Sequence, residues 1–297
     1  MTRTRLRGLE IGGVQMGIEL PESCPWRWPD APIAGFACLP RDPEVHVGVR
    51  VGSVPQGDLG GERYRISAWT FEVCRRGEDW LLGLERDGHR EQLAHFDRDF
   101  RSGEVLVAAS DGGPAFPLRT PLDEWIVLHR TVARGGLCLS ATARAVEGHA
   151  SLRLGAGGRG APEGLGSSLA SMVRGARSTI LLREQAGRLY AYRTPWSDSV
   201  DPRLARVAPV SDVMLIEDAE RPYRERLDPE EAADLLLSHA VVSLSDEVLL
   251  DRVLCNARRL AERVPVLRVG ASISRASSLD VRTRSILQPS GPAPSSL

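Results

Sequence analysis

Residues 137–172 read LCLSATARAVEGHASLRLGAGGRGAPEGLGSSLASM, and the fold is decided there. An apolar strand over 137–143 meets a tight turn at Glu147-Gly148, and a second strand over 150–154 follows. The glycine-rich segment 155–160 then leads into a helix rich in Ala, Ser and Leu. Strand, turn, strand, glycine loop and helix, in that order, are the layout of a phosphate-binding loop. Small residues let the backbone wrap its N–H groups round an anion, while the helix behind aims its positive end at the same charge.

The complete pattern, G-x-x-x-x-G-K-[ST], adds a lysine for the β- and γ-phosphates and a hydroxyl for magnesium. Counted from Gly155, the segment reads G-A-G-G-R-G-A-P. Gly157, Gly158 and Gly160 complete the scaffold, but Ala161 stands at the lysine position and Pro162 at the hydroxyl position. No other lysine can substitute, because all 38 basic residues are arginine. Arg159 lies inside the loop, yet its rigid fork does not replace a compact ammonium. Pro162 removes one N–H donor, although proline suits the first turn of a helix.

At 297 residues the chain has room for one large domain or two ordinary ones. A net charge of −1 and a pI near 6.6 show no basic excess, which argues against a protein built to hold nucleic acid or an anionic membrane. The five cysteines are odd in number, widely spaced and without a C-x-x-C pair, as expected of thiols in a reducing compartment. The basic start MTRTRLRGLE precedes no apolar signal core, and no long apolar run follows anywhere, so the expectation is a soluble cytoplasmic protein.

Residues 1–120 read as an antiparallel β-rich domain. Residues 45–51 alternate V-H-V-G-V-R-V, strand patterns continue over 64–73 and 80–84, and 103–109 closes the set. His46, His89 and His95 match no zinc spacing, so no metal is expected. Trp26 and Trp28, in PESCPWRWPD, read as a hydrophobic plug. Residues 117–136 form a hinge in which Asp123-Glu124 opens a helix with Trp125, Val127, Leu128 and Val132 near one face.

Beyond the loop, 179–183 and 188–192 form a hairpin round Ala186-Gly187, and 210–216 is a strand. Asp228 with Pro229 and Glu231 starts one helix, Ser245 caps a second that runs to about Arg263, and 264–269 is a last strand. The Ser-, Pro- and Arg-rich tail, 273–297, is expected to be disordered.

Residues 122–269 resemble the HPr kinase family, within the group that includes PEP carboxykinase. The resemblance rests on R-G-G (134–136), L-x-A-T-A (139–143), the E-G turn, the glycine loop and R-G-A (174–176). It continues in G-R-L-Y-A-Y-R-T-P-W (187–196), V-M-L-I-E (213–217), L-D-P-E-E-A-A (227–233) and E-R-V-P-V (262–266). It implies an α/β (α+β) chain: a β-rich domain over 1–120, similar to the variable domain of HPr kinase-related proteins in bacterial gene clusters, then a kinase-like domain with a degenerate P-loop over 121–272.

The family's chemistry carries over only where residues match. The family has a histidine where this chain has Ser140, and a pair of aspartates after R-G-A where this chain runs through Ser178 and Thr179 into Ile180. With Ala161 and Pro162, these replacements leave no catalytic residue to name. The resemblance then implies a pseudokinase, without cofactor, that serves as a binding, scaffold or regulatory partner of another protein in a biosynthetic assembly and that self-associates.

Two other readings stay open. An active phosphotransferase would take ATP and magnesium, with Arg153, Arg159 or Arg177 as phosphate clamps and Glu147, Glu163 or Asp212 as metal ligand. Alternatively, 155–160 is only a tight connection between strand and helix.

Overall fold

In the computed structural model the described residues are 3–24, 26, 32–66, 68–109, 116–154, 179–196, 203, 205–242 and 246–271. The glycine loop, the helix expected after it and the C-terminal tail therefore lie outside the described residues, as does Trp28.

The chain folds into two sheets with helices between and beside them. The first sheet contains β1 (Thr4–Ile11), β2 (Val14–Pro21), β3 (Ala37–Cys38), β4 (Val45–Gly52), β5 (Glu62–Ile66), β6 (Trp69–Arg76), β7 (Asp79–Arg86), β8 (His89–Phe96) and β9 (Ser102–Ala108). Its spatial order is β3-β1-β2-β4-β9-β8-β7-β6-β5. Strand β4 shows why: Val45, Val47 and Val49 point into the core while His46 and Arg50 face solvent.

Two expectations are corrected here. The sheet is mixed, because β2 pairs with β4, and β4 with β9, in parallel. Period-two alternation is the same for both directions, and only the long connections into and out of β4 betray the crossover. Second, the stretch 64–73 is two strands, β5 and β6, folded on each other with Ile66 opposite Trp69. The basic N-terminal stretch, for which the sequence carried no structural expectation, forms strand β1, paired along its length with β2.

The second sheet holds β10 (Leu137–Val146), β11 (His149–Leu154), β12 (Thr179–Gln185), β13 (Arg188–Arg193), β14 (Val207–Asp218), β15 (Tyr223–Arg226) and β16 (Val266–Ala271). Their order is β11-β10-β12-β13-β14-β16-β15, and β11 also pairs with β14, so five strands close on themselves. Two long strands make the closure possible by changing partners. Leu137 to Ser140 of β10 pair with β12, whereas Ala141 to Val146 pair with β11. Residues 207–209 of β14 pair with β13, and later residues lie parallel between β11 and β16. Both expected hairpin turns are present, with Glu147-Gly148 at φ 50° and 81° and Ala186-Gly187 at 50° and 76°. Two successive positive φ values are what a two-residue turn needs to match strand twist.

Helix α1 (Leu122–Ala133) was expected to bury one face, yet every residue from Leu122 to Val132 is buried. It sits between the sheets. Trp125 meets Phe71 of β6 at 5.7 Å and Trp80 of β7 at 6.3 Å, and the helix also packs against β10. A helix buried all round must satisfy its polar residues internally. Arg130 does so on the carboxylate of Glu44 and on the Asp99 carbonyl at 2.8 Å. The helix ends at Gly135, φ 78°, where Gly136 N–H donates to Thr131 O at 2.9 Å.

Helix α2 (Pro229–Ser238) starts as its sequence predicts, with the Asp228 carboxylate accepting from Glu230 and Glu231 N–H groups. Helix α3 (Glu247–Ala261) is capped by Asp246, which accepts from Leu249 N–H at 3.2 Å. The expected cap, Ser245, lies outside the described residues. Buried apolar side chains of both sheets and of α1, α2 and α3 form one continuous core among the described residues. Among the described residues no helix is long and apolar enough to cross a membrane.

Candidate functional site

Strand register brings the two ends of the undescribed segment 155–178 together. Leu154, the last residue before it, pairs with Ala141, and Thr179, the first after it, pairs with Ser140. Both ends therefore meet adjacent residues of β10, at the place where that strand changes partners. The segment also leaves from the carboxyl end of β11, beside the parallel strands β14 and β16. Crevices at the carboxyl ends of parallel strands are where open α/β sheets hold ligands.

Where β11 turns away, the other edge of β10 needs new partners for its backbone. Residues after α2 supply them: Ser140 N–H donates to His239 O at 2.8 Å, and Val241 N–H to Cys138 O at 2.7 Å. His239 is thereby fixed beside Ser140. Its Nδ1 donates to Leu235 O at 3.1 Å, while its buried Nε2 has no hydrogen-bond partner among the described residues. Burial holds its imidazole below the usual histidine range.

A second line of contacts starts at Thr179. The Thr194 hydroxyl donates to Thr179 O at 2.8 Å. Two residues on, Trp196 Nε1 donates to Asp123 Oδ2 at 2.8 Å. Asp123 is fully buried and also accepts from Glu124 N–H at 2.8 Å. Burial pushes its carboxyl up to about 6, against the opposing pull of the donors from Trp196, Glu124 and Thr120.

The sequence-named residues fall out as follows. Ser140 and Thr179 are neighbours across β10 and β12. Gly155, Gly157, Gly158, Arg159, Gly160, Ala161, Pro162 and Ser178 lie outside the described residues, as do Glu163 and Arg177. Glu147 sits in the turn at the far end of β11, about 23 Å from Leu154 along an extended strand. Asp212 pairs with Ser151, about 10 Å short of Leu154. Its carboxylate accepts from Ser151 Oγ at 2.7 Å and from Ser211 Oγ at 2.9 Å.

Among the described residues no group of three or more His, Cys, Asp or Glu is placed to hold a metal ion. His46 and His89 are exposed on strands, and His95 Nε2 lies 3.0 Å from Asp79 Oδ2 at the surface.

No family model matches this chain, and no curated protein matches it. The site is therefore read from its own geometry. His239 escapes sequence reasoning because it sits in no local pattern, and Asp123 is legible only as a helix start, not as a buried carboxylate. One is delivered by the segment after α2, the other by contact of α1 with Trp196. Glu217, in contrast, was visible as the end of an apolar strand. It lies two residues past Leu215, the partner of Leu154, at the sheet end where β11 ends, and accepts from Tyr223 OH at 2.6 Å.

Proposed function

We propose that this chain is a catalytically degenerate HPr kinase-like protein that uses its fold as a binding or regulatory partner of another protein. The observation that carries the reading is replacement at three separate places of one mechanism: Ser140 on β10, Ala161 with Pro162 in the loop, and Ser178 with Thr179 leading into β12. The register supports treating these places as one site, since Ser140, Thr179 and the entry to the loop are neighbours across β10.

Phosphoryl transfer depends on positioning and on charge neutralisation by lysine, metal and carboxylate. Removing one such electrostatic donor commonly costs about 10²–10³ in rate, and several losses together leave no useful transfer even though they do not add. Hydroxyls at Ser140 and Thr179 keep polarity without charge. The buried carboxyl at Asp123 already accepts from three groups and is held as structure.

The test is calorimetric titration with ATP and magnesium, alongside an Ala161→Lys, Pro162→Ser double variant and a phosphate-release assay. The expected result is no turnover in the natural chain and nucleotide binding that appears or tightens in the variant. ATP-dependent phosphorylation by the natural chain, abolished in Arg159→Ala, would overturn the proposal in favour of an active phosphotransferase.

A further inference from the structure

Away from the loop, a cleft of about 940 Å³ opens between the end of α1, the exposed face of α3 and the turn joining β8 to β9. Its charge is unlike that of the chain as a whole, which is −1. The lining carries five guanidiniums, on Arg101, Arg130, Arg134, Arg252 and Arg259, against three carboxylates, on Glu44, Asp99 and Asp251.

The pairing is uneven. Arg130 and Arg134 converge on the single carboxylate of Glu44. Arg252 faces Asp99 only at 3.7 Å, with both side chains nearly half exposed. Arg259 is spent on a neutral acceptor, the Gly135 carbonyl, at 2.6 Å. Arg101 is exposed, and its guanidinium makes no hydrogen bond or ion pair among the described residues.

The wall behind these groups is rigid. Arg130 is buried and held at all three of its nitrogens, and Asn256 Nδ2 ties α3 to the end of α1 through Val132 O at 2.9 Å and Gly136 O at 3.0 Å. Cations fixed in a concave site focus the field on whatever enters it. Guanidinium forks bind phosphate oxygens in pairs, which makes a phosphate-bearing ligand a better match than a lone halide.

We infer that this cleft binds a small multivalent anion of the phosphate or pyrophosphate class, held by Arg101 and Arg259 with Arg134 and Arg252 beside them. This inference does not depend on the proposed function, because no lining residue belongs to the segment 155–178.

The probe is inorganic pyrophosphate, titrated calorimetrically into the full chain and into Arg101→Gln, Arg101→Gln with Arg259→Gln, and Arg159→Ala. Thermal melts of the free proteins check that each variant is folded. If Arg259→Gln disturbs the end of α1, the exposed Arg101→Gln variant carries the test alone.

The expected result is saturable binding, weakened several-fold in the single variant and about tenfold or more in the double variant, as loss of charge-assisted contacts requires. Binding should be unchanged in Arg159→Ala and should weaken as salt is raised. The inference is overturned by no saturable binding up to about 10 mM, a ligand scale near the weakest specific affinities. Equal affinity in the double variant also overturns it, and so does loss on Arg159→Ala, which would place the anion at the glycine loop.

Discussion

Replacing Asp123 by Asn should remove one defined component of the chain's pH dependence. The carboxyl titrates near 6 in the folded protein against 3.8 when unperturbed, because burial disfavours its charged form more than its three donors favour it. A group whose pKa is raised by folding contributes stability that is fully present below the unfolded value and is lost as pH rises through the folded one. Over the full window the shift of roughly two units corresponds to about 3 kcal/mol. Between pH 7.5 and pH 4.5, where only part of that titration falls, the contribution is about 2 kcal/mol. The Asn variant cannot take up the proton, and its amide also presents N–H groups toward Trp196 Nε1.

Urea unfolding of both proteins at half-unit steps across that range isolates the effect, because every other titrating group cancels in the difference. The natural chain should gain about 2 kcal/mol relative to Asp123→Asn as pH falls from 7.5 to 4.5. A difference that stays flat, or that grows in favour of the variant on acidification, refutes the assignment of a buried, proton-accepting Asp123.

Other perturbations have equally definite directions. Arg90 is buried between Glu72 and Glu85, both at 2.9 Å; Glu85 keeps its ion pair with Arg63, but Arg90→Ala leaves the buried Glu72 carboxylate without a cation and should cost about 3 kcal/mol or more by urea unfolding. Burial alone would raise the Asp246 carboxyl, but contacts with His129, Leu249 N–H and Arg75 outweigh it and hold it low. Asp246 therefore stabilises above the ordinary aspartate pKa and loses that effect as pH falls through its lowered value. At neutral pH Asp246→Ala should cost about 1–2 kcal/mol for the lost helix cap, with a smaller cost in acid. At Gly135, a methyl group would meet the Arg259 guanidinium at a backbone φ of 78°. Gly135→Ala should lower the melting temperature, with a cost of about 1 kcal/mol or more, and should weaken pyrophosphate binding by displacing Arg259.

The features that could be read from sequence are those whose cause is local. Glu147-Gly148 and Ala186-Gly187 are turns because two consecutive left-handed residues close a two-residue hairpin, and Asp228-Pro229 starts a helix because cap and ring geometry act within one turn. What stayed hidden depends on contacts far apart in the chain. The valines of β4 look the same whether its neighbours run parallel or antiparallel. On α1 the sequence marked one apolar face, Trp125, Val127, Leu128 and Val132, but burial of the polar Asp123, His129 and Arg130 depends on Trp196, Asp246 and Glu44, contributed from distant parts of the chain. At the candidate site, Ser140 and Thr179 could be named in advance because they stand in recognisable stretches. His239 could not, because its position follows from which backbone edge of β10 was left uncovered.

The burial of α1 also bears on inheritance. Its aromatic side is completed by Phe71, Trp80 and Phe100 of the first half, and its other contacts lie on β10 and α3 of the second. A recombination joint placed between 109 and 122 would hand one descendant a helix stripped of half its surroundings. The other descendant would keep a sheet with a row of uncovered rings. Exchange of the N-terminal half for an unrelated module is thus closed to this lineage unless Trp125 and His129 are rebuilt at the same time. The two sheets have to diverge as one heritable piece.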